Sequence, residues 1–257
     1  MNILCIGDVV GKIGCEFLRK NLPAIKKHYG IDFCIVNGEN SAEGNGISSA
    51  SAEHIFTSGA DVITGGNHTL RRSEIYEKLE ENPFLLRPAN YSFAVAGKGM
   101  SICDLGRVQV AVINVLGTVY MDSLNSPFET CDKLIEEAKE NGAKVIIVDF
   151  HAEATSEKRA LGFYLDSKVT AIFGTHTHVQ TNDAQILPGG TAYITDVGMT
   201  GVKQSVLGVK PEISIARIKD KLPLRYENAG GDAIMSGIII SLDSSYKVTD
   251  IKTINIE

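Results

Sequence analysis

No run of apolar residues in the 257-residue chain approaches the roughly 20 that a membrane span needs, so the sequence predicts no transmembrane helix. It also lacks any CxxC spacing. The cysteines at 5, 15, 34, 103 and 131 are odd in number and mostly lie in apolar strand or helix patterns. That excludes a zinc knuckle or a thioredoxin-like motif and reads them as reduced packing residues. The opening Met1–Asp8 stretch has no basic region and meets an acid too early for a secretory signal, which predicts a cytoplasmic protein. Basic charge is in deficit: 25 Lys and Arg stand against 31 Asp and Glu, a net charge of −6. An extended nucleic-acid surface is therefore not expected, although a small pocket for one phosphate is compatible with that balance. Internal repeats, low-complexity segments and Pro/Gly-rich linkers are absent too. With 44% hydrophobic and 22% charged residues, the composition predicts a single domain, 1–257. A phosphate loop is also missing. Gly7-Asp-Val-Val-Gly11-Lys12-Ile13 has three residues between its glycines and Ile after Lys, where that loop needs four and Ser or Thr.

What is present is an alternation of strands and helices. Ile3–Ile6, Phe33–Val36 and Asp61–Thr64 are short apolar runs of strand type, separated by a helical pattern at Ile13, Phe17, Leu18, Leu22 and Ile25 and another at Ser51–Ser58. Gly30 is a plausible stop for the first helix, and a charged helix is predicted near Ser73–Glu81. This spacing implies βαβ units and a mainly parallel sheet. The middle is more antiparallel in style, with strands predicted at Tyr91–Ala96, Met100–Cys103 and Val108–Val115. A helix follows at Phe128–Ala138, then strands at Lys144–Asp149, Lys168–Phe173 and Thr191–Thr195. Ile213–Ile218, Ile234–Leu242 and a short alternating tail are the last predicted strands.

The polar residues fall at the ends of those strands. Asp8, Glu39 with Asn40, Asn67 with His68, His151, and His176 with His178 each terminate an apolar run. Parallel strands project their carboxyl ends to one side, where ligands of open α/β sheets bind. Four of the six histidines occupy such positions, whereas His28 and His54 sit in helical patterns and are read as solvated or packed. Carboxylates, amide oxygens and imidazoles together suit borderline divalent metals such as Mn, Fe, Zn or Ni. The number of ligands suggests two ions, since a carboxylate can bridge a pair that clamps a phosphoryl group.

The ordered motifs Gly7-Asp8, Gly38-Glu39-Asn40, Gly66-Asn67-His68, His151 and Gly174-Thr175-His176-Thr177-His178 resemble those of the calcineurin-like metallophosphoesterases. More closely, GDVVGKIG, NGENSAEGNGI, GGNHT, DFHAEATSEK, GTHTHVQT and ITDVGMTG resemble the YmdB-like branch over essentially the whole chain. The resemblance implies an α/β fold, a β-sandwich flanked by helices in four α/β/β/α layers. It implies two divalent metal ions, iron or manganese first and zinc or nickel as alternatives. It also implies hydrolysis of phosphodiesters, including 2′,3′-cyclic nucleotides, by attack of metal-bound hydroxide. Carried over position by position, it places Asp8, Glu39, Asn40 and His178 on one ion and Glu39, Asn67, His151 and His176 on the other, with Glu39 as the bridge. His68 resembles the catalytic residue that protonates the leaving oxygen or steadies the transition state. Asn40 is open to a second role, contact with the substrate phosphate.

Departures from the family pattern bear on substrate. The broader superfamily usually has Asp-x-His in its first motif, while Asp8 is followed by Val9 and Val10, and Asn40 is the natural substitute ligand. Leu70 and Arg71 follow the GNHT motif where the resemblance implies an aromatic and an acid, and Thr118 stands where Arg is common. The expected partner is a small nucleotide or phosphodiester, and a homo-oligomer is compatible with the sequence. The alternatives are a nucleotide-sensing regulator using the same pocket and a phosphomonoesterase. The Ser41–Ser49 loop and the Asp196–Gly201 turn are expected to line the pocket, although Gly-rich turns of purely structural use read the same way.

Overall fold

Short unbroken runs of Ile, Val, Leu and Phe make strands that are covered on both faces. The computed structural model describes residues 1–257, and such runs are buried throughout it. In chain order, β1 (Asn2–Ile6) and β2 (Asp8–Val9) lead into α1 (Gly11–Tyr29), and β3 (Phe33–Asn37) leads into α2 (Ser49–Ser58). Then come β4 (Val62–Thr64), a 3-10 turn at Thr69–Arg71 and α3 (Ile75–Glu81). The next group is β5 (Met100–Asp104), β6 (Gln109–Leu116), α4 (Pro127–Glu140), β7 (Val145–His151), α5 (Thr155–Leu165) and β8 (Ala171–Thr175). The chain ends with β9 (Gln185–Ile186), β10 (Ala192–Ile194), β11 (Met199–Val202), α6 (Pro211–Lys219), β12 (Ala233–Leu242) and β13 (Val248–Ile256).

Two sheets result. One runs β2-β11-β12-β1-β3-β4, with β13 also paired to β12, and the other runs β5-β6-β7-β8-β10-β9. The pairs β1–β3 and β3–β4 in the first sheet, and β6–β7, β7–β8 and β8–β10 in the second, are parallel. Alternate residues along each strand point to opposite faces. Ile3, Cys5, Phe33 and Ile35 accordingly meet Val110, Val112, Ile147 and Phe173 between the sheets. Leu4, Ile6, Cys34 and Val36 face the other way, against Leu18 and Leu22 of α1 and Ile55 of α2. On the far sheet, Ile113, Ile146 and Val148 pack on Cys131 and Ile135 of α4 and Leu161 and Leu165 of α5. This is the four-layer α/β/β/α sandwich that the sequence implied. All five cysteines are free and buried, and no helix is long and apolar enough to cross a membrane.

Helix α1 ends where predicted. Gly30 takes φ 58°, the left-handed conformation that glycine adopts without a Cβ clash, and its N–H bonds back to the last turn. Two predicted strands are corrected. Residues 91–96 form turns without a strand partner, with Val95 N–H donating to Ser92 O and Phe93 almost fully exposed. Residues 213–218 lie in α6, where Pro211 opens the first turn and Ile215 and Ile218 face outward. Their apolar side chains therefore do not mark a buried strand.

Candidate metal centre

Because β1, β3, β4, β7 and β8 run in parallel sets, their carboxyl ends open on one side of the sandwich. Asp8 follows β1, Glu39 and Asn40 follow β3, and Asn67 and His68 follow β4. His151 is the last residue of β7, and His176 and His178 leave β8. The structure brings all eight together. His151 Nε2 lies 3.0 Å from His176 Nδ1, 3.1 Å from Asn67 Oδ1 and 3.3 Å from a Glu39 oxygen. His178 Nε2 lies 3.7 Å from Asp8 Oδ1 and 3.3 Å from the Asn40 amide nitrogen. Two overlapping sets emerge, Glu39–His151–His176 and Asp8–Glu39–His178, each with donor atoms within 4.8 Å of one another. Glu39 belongs to both.

Outer hydrogen bonds settle which nitrogen of each ring faces inward. The Thr175 hydroxyl donates to Asp149 Oδ1 at 2.7 Å, so its oxygen accepts from His151 Nδ1–H at 2.9 Å. His176 Nε2–H donates to Glu153 at 2.9 Å, and His178 Nδ1–H donates to Leu207 O at 3.1 Å. Each ring is left with a lone pair on its other nitrogen, aimed at the carboxylates. Such outer partners are the usual means of orienting an imidazole ligand. The turn is also held against its preference, since His176 and His178 have φ of 100° and 63°. Non-glycine residues in that region cost about 1–3 kcal/mol each and concentrate at functional sites.

The cluster thus presents acceptors to acceptors. His151 Nε2, His176 Nδ1, Asn67 Oδ1 and a Glu39 oxygen crowd together with no proton assigned among them, and Asp8 Oδ1 is buried with no hydrogen-bond partner. Buried lone pairs left facing one another are costly, and a divalent cation is what they fit. Burial pushes the Asp8 carboxyl well above its usual range, with Glu39 and Asp196 adding like charge. Burial would raise Glu39 too, but the His151 and His68 rings and the His68 N–H hold it below the ordinary range. Desolvation drives His151 well below the usual imidazole value, and His178 is lowered for the same reason. Two donors also reach the Glu39 carboxylate. The His68 backbone N–H lies at 3.0 Å and the Asn40 amide at 2.6 Å.

Asn40 and His68 sit at the edge. Asn40 Oδ1 accepts from His68 Nδ1–H at 2.8 Å, so its nitrogen, not its oxygen, faces Glu39 and His178. Ligation through Oδ1 would need a half-turn of the amide, exchanging the His68 bond for the cage. A cavity of about 450 Å³ opens beside these residues, and Gly44 and Asn45 of the predicted loop line it. The Asp196–Gly201 turn does not line it. Asp196 instead lies fully buried beneath the histidine turn, accepting from Thr177 N–H at 3.0 Å and pairing with Lys158. Thr118 is turned toward the Glu157 carboxylate and is not part of the wall. The sequence reading missed Asp149, Glu153, Lys158, Thr175 and Asp196 as supports. Only Asp149 left a signal, as a charge inside the apolar strand Val145–His151.

Comparisons with known proteins show the family. The sequence model of the YmdB-like protein family matches residues 4–254. A 2′,3′-cyclic-nucleotide 2′-phosphodiesterase of Bacillus subtilis (strain 168) is 46% identical over 247 residues, covering 96% of this chain and 93% of the relative. The crystal structure of a novel phosphatase from Mycoplasma pneumoniae superposes with a TM-score of 0.93 at 35% identity, covering all of this chain and 93% of the other. At 11% identity, a 5′-nucleotidase precursor from Thermus thermophilus shares only the fold, with a TM-score of 0.63 over all of this chain and 54% of that one. The sequence model spans nearly the full length, and the chain belongs to the YmdB-like family.

Proposed function

We propose that this protein is a dimetal-dependent phosphodiesterase acting on 2′,3′-cyclic nucleotides. The observation that carries the proposal is the pair of inward-facing acceptor sets that share Glu39. The activity named for the Bacillus subtilis relative supports the substrate class. Asp8, Glu39, Asn40 and His178 would hold one ion, with the Asn40 amide turned, and Glu39, Asn67, His151 and His176 the other. Iron or manganese is the first choice and zinc or nickel the next, because nitrogen and oxygen ligands without thiolate suit this group. When bound, such a pair supplies Lewis acidity to the phosphoryl oxygens and lowers the pKa of water.

The protein's own residues do the rest. The Glu153, Thr175 and Leu207 acceptors keep the three rings in one tautomer and orientation. With Asn40 turned to the cage, Glu39 tethers His68 through Nδ1 at 3.2 Å, leaving Nε2 to deliver a proton to the leaving oxygen. General acid catalysis of that kind contributes typically about 10²–10⁴-fold. The functional unit is taken to be the whole chain, 1–257. Five buried thiols without a disulfide support a reducing, cytoplasmic setting.

The test is elemental analysis of protein purified without chelator, with turnover assayed in each metal found. Bis(p-nitrophenyl) phosphate and 2′,3′-cyclic AMP are compared with p-nitrophenyl phosphate. Two ions per chain and preference for the diesters are expected. Metal-replete protein that turns over only the monoester, or neither substrate class, overturns the reading.

A further inference from the structure

The cavity beside the cage is larger than one phosphate requires. Its volume of about 450 Å³ lies within the range of sites that enclose a whole small ligand. Glu39, His176 and His178 form one wall, while Leu207, Val209 and Tyr226 give an apolar one. Tyr226 is backed by Arg217, whose guanidinium carbon lies 4.1 Å from the ring centroid. An aromatic wall next to a phosphate-sized cage suits a nucleobase.

Arg71 is the one Lys or Arg among the residues lining this cavity. Its guanidinium has no carboxylate partner and no hydrogen bond within the protein, whereas the adjacent Arg72 is engaged with Glu43 O, Asn45 O and Glu74. Arg71 N–H donates to His68 O at 3.0 Å, which closes the 3-10 turn. On such a turn side chains three residues apart eclipse each other, with about 6 Å between them along the axis. Arg71 therefore sits one 3-10 turn beyond His68 and lines the same cavity. An unpaired guanidinium there, in a chain of net charge −6 and a cavity that also holds Glu39 and Glu153, is a fork for an oxyanion.

We infer that Arg71 is a specificity residue that binds a second phosphate of the substrate. The preferred diesters then carry another phosphoryl group one nucleotide unit from the scissile one, as in a short oligoribonucleotide or a nucleotide phosphorylated at its other end. The inference rests on the proposed diesterase reading for the place of the scissile phosphate. Arg71 does not touch the cage, so diesters with a single phosphate gain nothing from it.

The test compares binding of adenosine 3′,5′-bisphosphate and adenosine 3′-monophosphate to the metal-loaded protein by calorimetry, in wild type, Arg71→Ala and Arg71→Lys. Wild type is expected to bind the bisphosphate about tenfold tighter or more, from one charge-assisted fork. Arg71→Ala should bring the two affinities within about twofold without weakening the monophosphate, and Arg71→Lys, which keeps charge but loses the fork, should fall between. The inference is overturned if wild type shows no gap, if the gap survives in Arg71→Ala, or if Arg71→Ala weakens both ligands alike. Turnover of bis(p-nitrophenyl) phosphate is measured beside it. Absence of turnover counts against the diesterase reading, while the binding gap judges Arg71 by itself.

Discussion

Lys158 Nζ lies 2.7 Å from both the Thr175 carbonyl oxygen and Asp196 Oδ2, buried beneath the turn that carries His176 and His178. Asp196 in turn accepts the backbone N–H of Thr177, the residue between the two histidines. The ion pair thus clamps the turn from below on both sides of His176. Removing one partner of such a pair strands the other charge in low dielectric, at about 3–5 kcal/mol. Lys158→Met is therefore expected to lower unfolding free energy by about that much and to reduce metal retention. Adding Asp196→Asn should recover part of the loss, because the stranded charge is gone. Urea titration and metal analysis of both variants check this. An unaltered midpoint in Lys158→Met contradicts the clamp.

Glu153 reaches His176 from outside the cage and fixes its tautomer. Losing an outer partner of this kind typically costs about 10–100-fold in metal affinity, and the half-exposed Glu153 belongs near the low end. Glu153→Ala should weaken metal binding about tenfold and leave turnover restorable by excess metal. Titration of chelator-treated protein with Mn reads the affinity. A loss of turnover that saturating metal does not restore would assign Glu153 to the substrate side instead.

Asp149 makes the metal-free fold pH-sensitive in an unusual direction. Burial raises its carboxyl to about 6, although Thr64, Thr175 and Asn37 donate to it. An unfolded aspartate ionises near 3.9, so between about pH 4 and 6 the unfolded chain loses a proton that the folded one keeps. Stability from this group is full below that window and declines as pH rises through it, by about 3 kcal/mol. Asp149→Asn loses the dependence, so its stability deficit relative to wild type should narrow as pH goes from 4 to 7. The buried histidines titrate in both proteins and cancel in the difference. Parallel denaturation curves for chelated protein give the two slopes, and equal slopes refute the prediction.

Much of this was legible in the chain. Short runs such as Phe33–Val36 declared buried strands, and polar residues at their ends declared the site, because a parallel sheet maps strand ends onto one crevice. Failures came where local pattern lacked tertiary context. Ile213, Ile215 and Ile218 resemble a strand until Pro211 starts a helix, and Tyr91–Ala96 alternates without any partner to pair with. The supports were hidden for a different reason. Asp149 and Thr175 act on His151 across β7 and β8, a juxtaposition that register creates and spacing along one strand does not reveal.

Gly66 shows how tight the cage is. A Cβ at this position would lie 2.3 Å from Glu39 Oε2 and 2.4 Å from His151 Nε2. Its backbone does not require positive φ, so alanine is acceptable to the chain and unacceptable to the site. The methyl would occupy the space between two donor atoms that share the Glu39–His151–His176 set. Gly66→Ala should therefore push Glu39 and His151 apart and lose that metal with most of the turnover. The Asp8–Glu39–His178 set should keep some affinity. Elemental analysis is expected to find about one ion where wild type holds the two proposed here, with circular dichroism unchanged. Full metal content and wild-type turnover in Gly66→Ala would mean that this space between Glu39 and His151 is not where an ion sits.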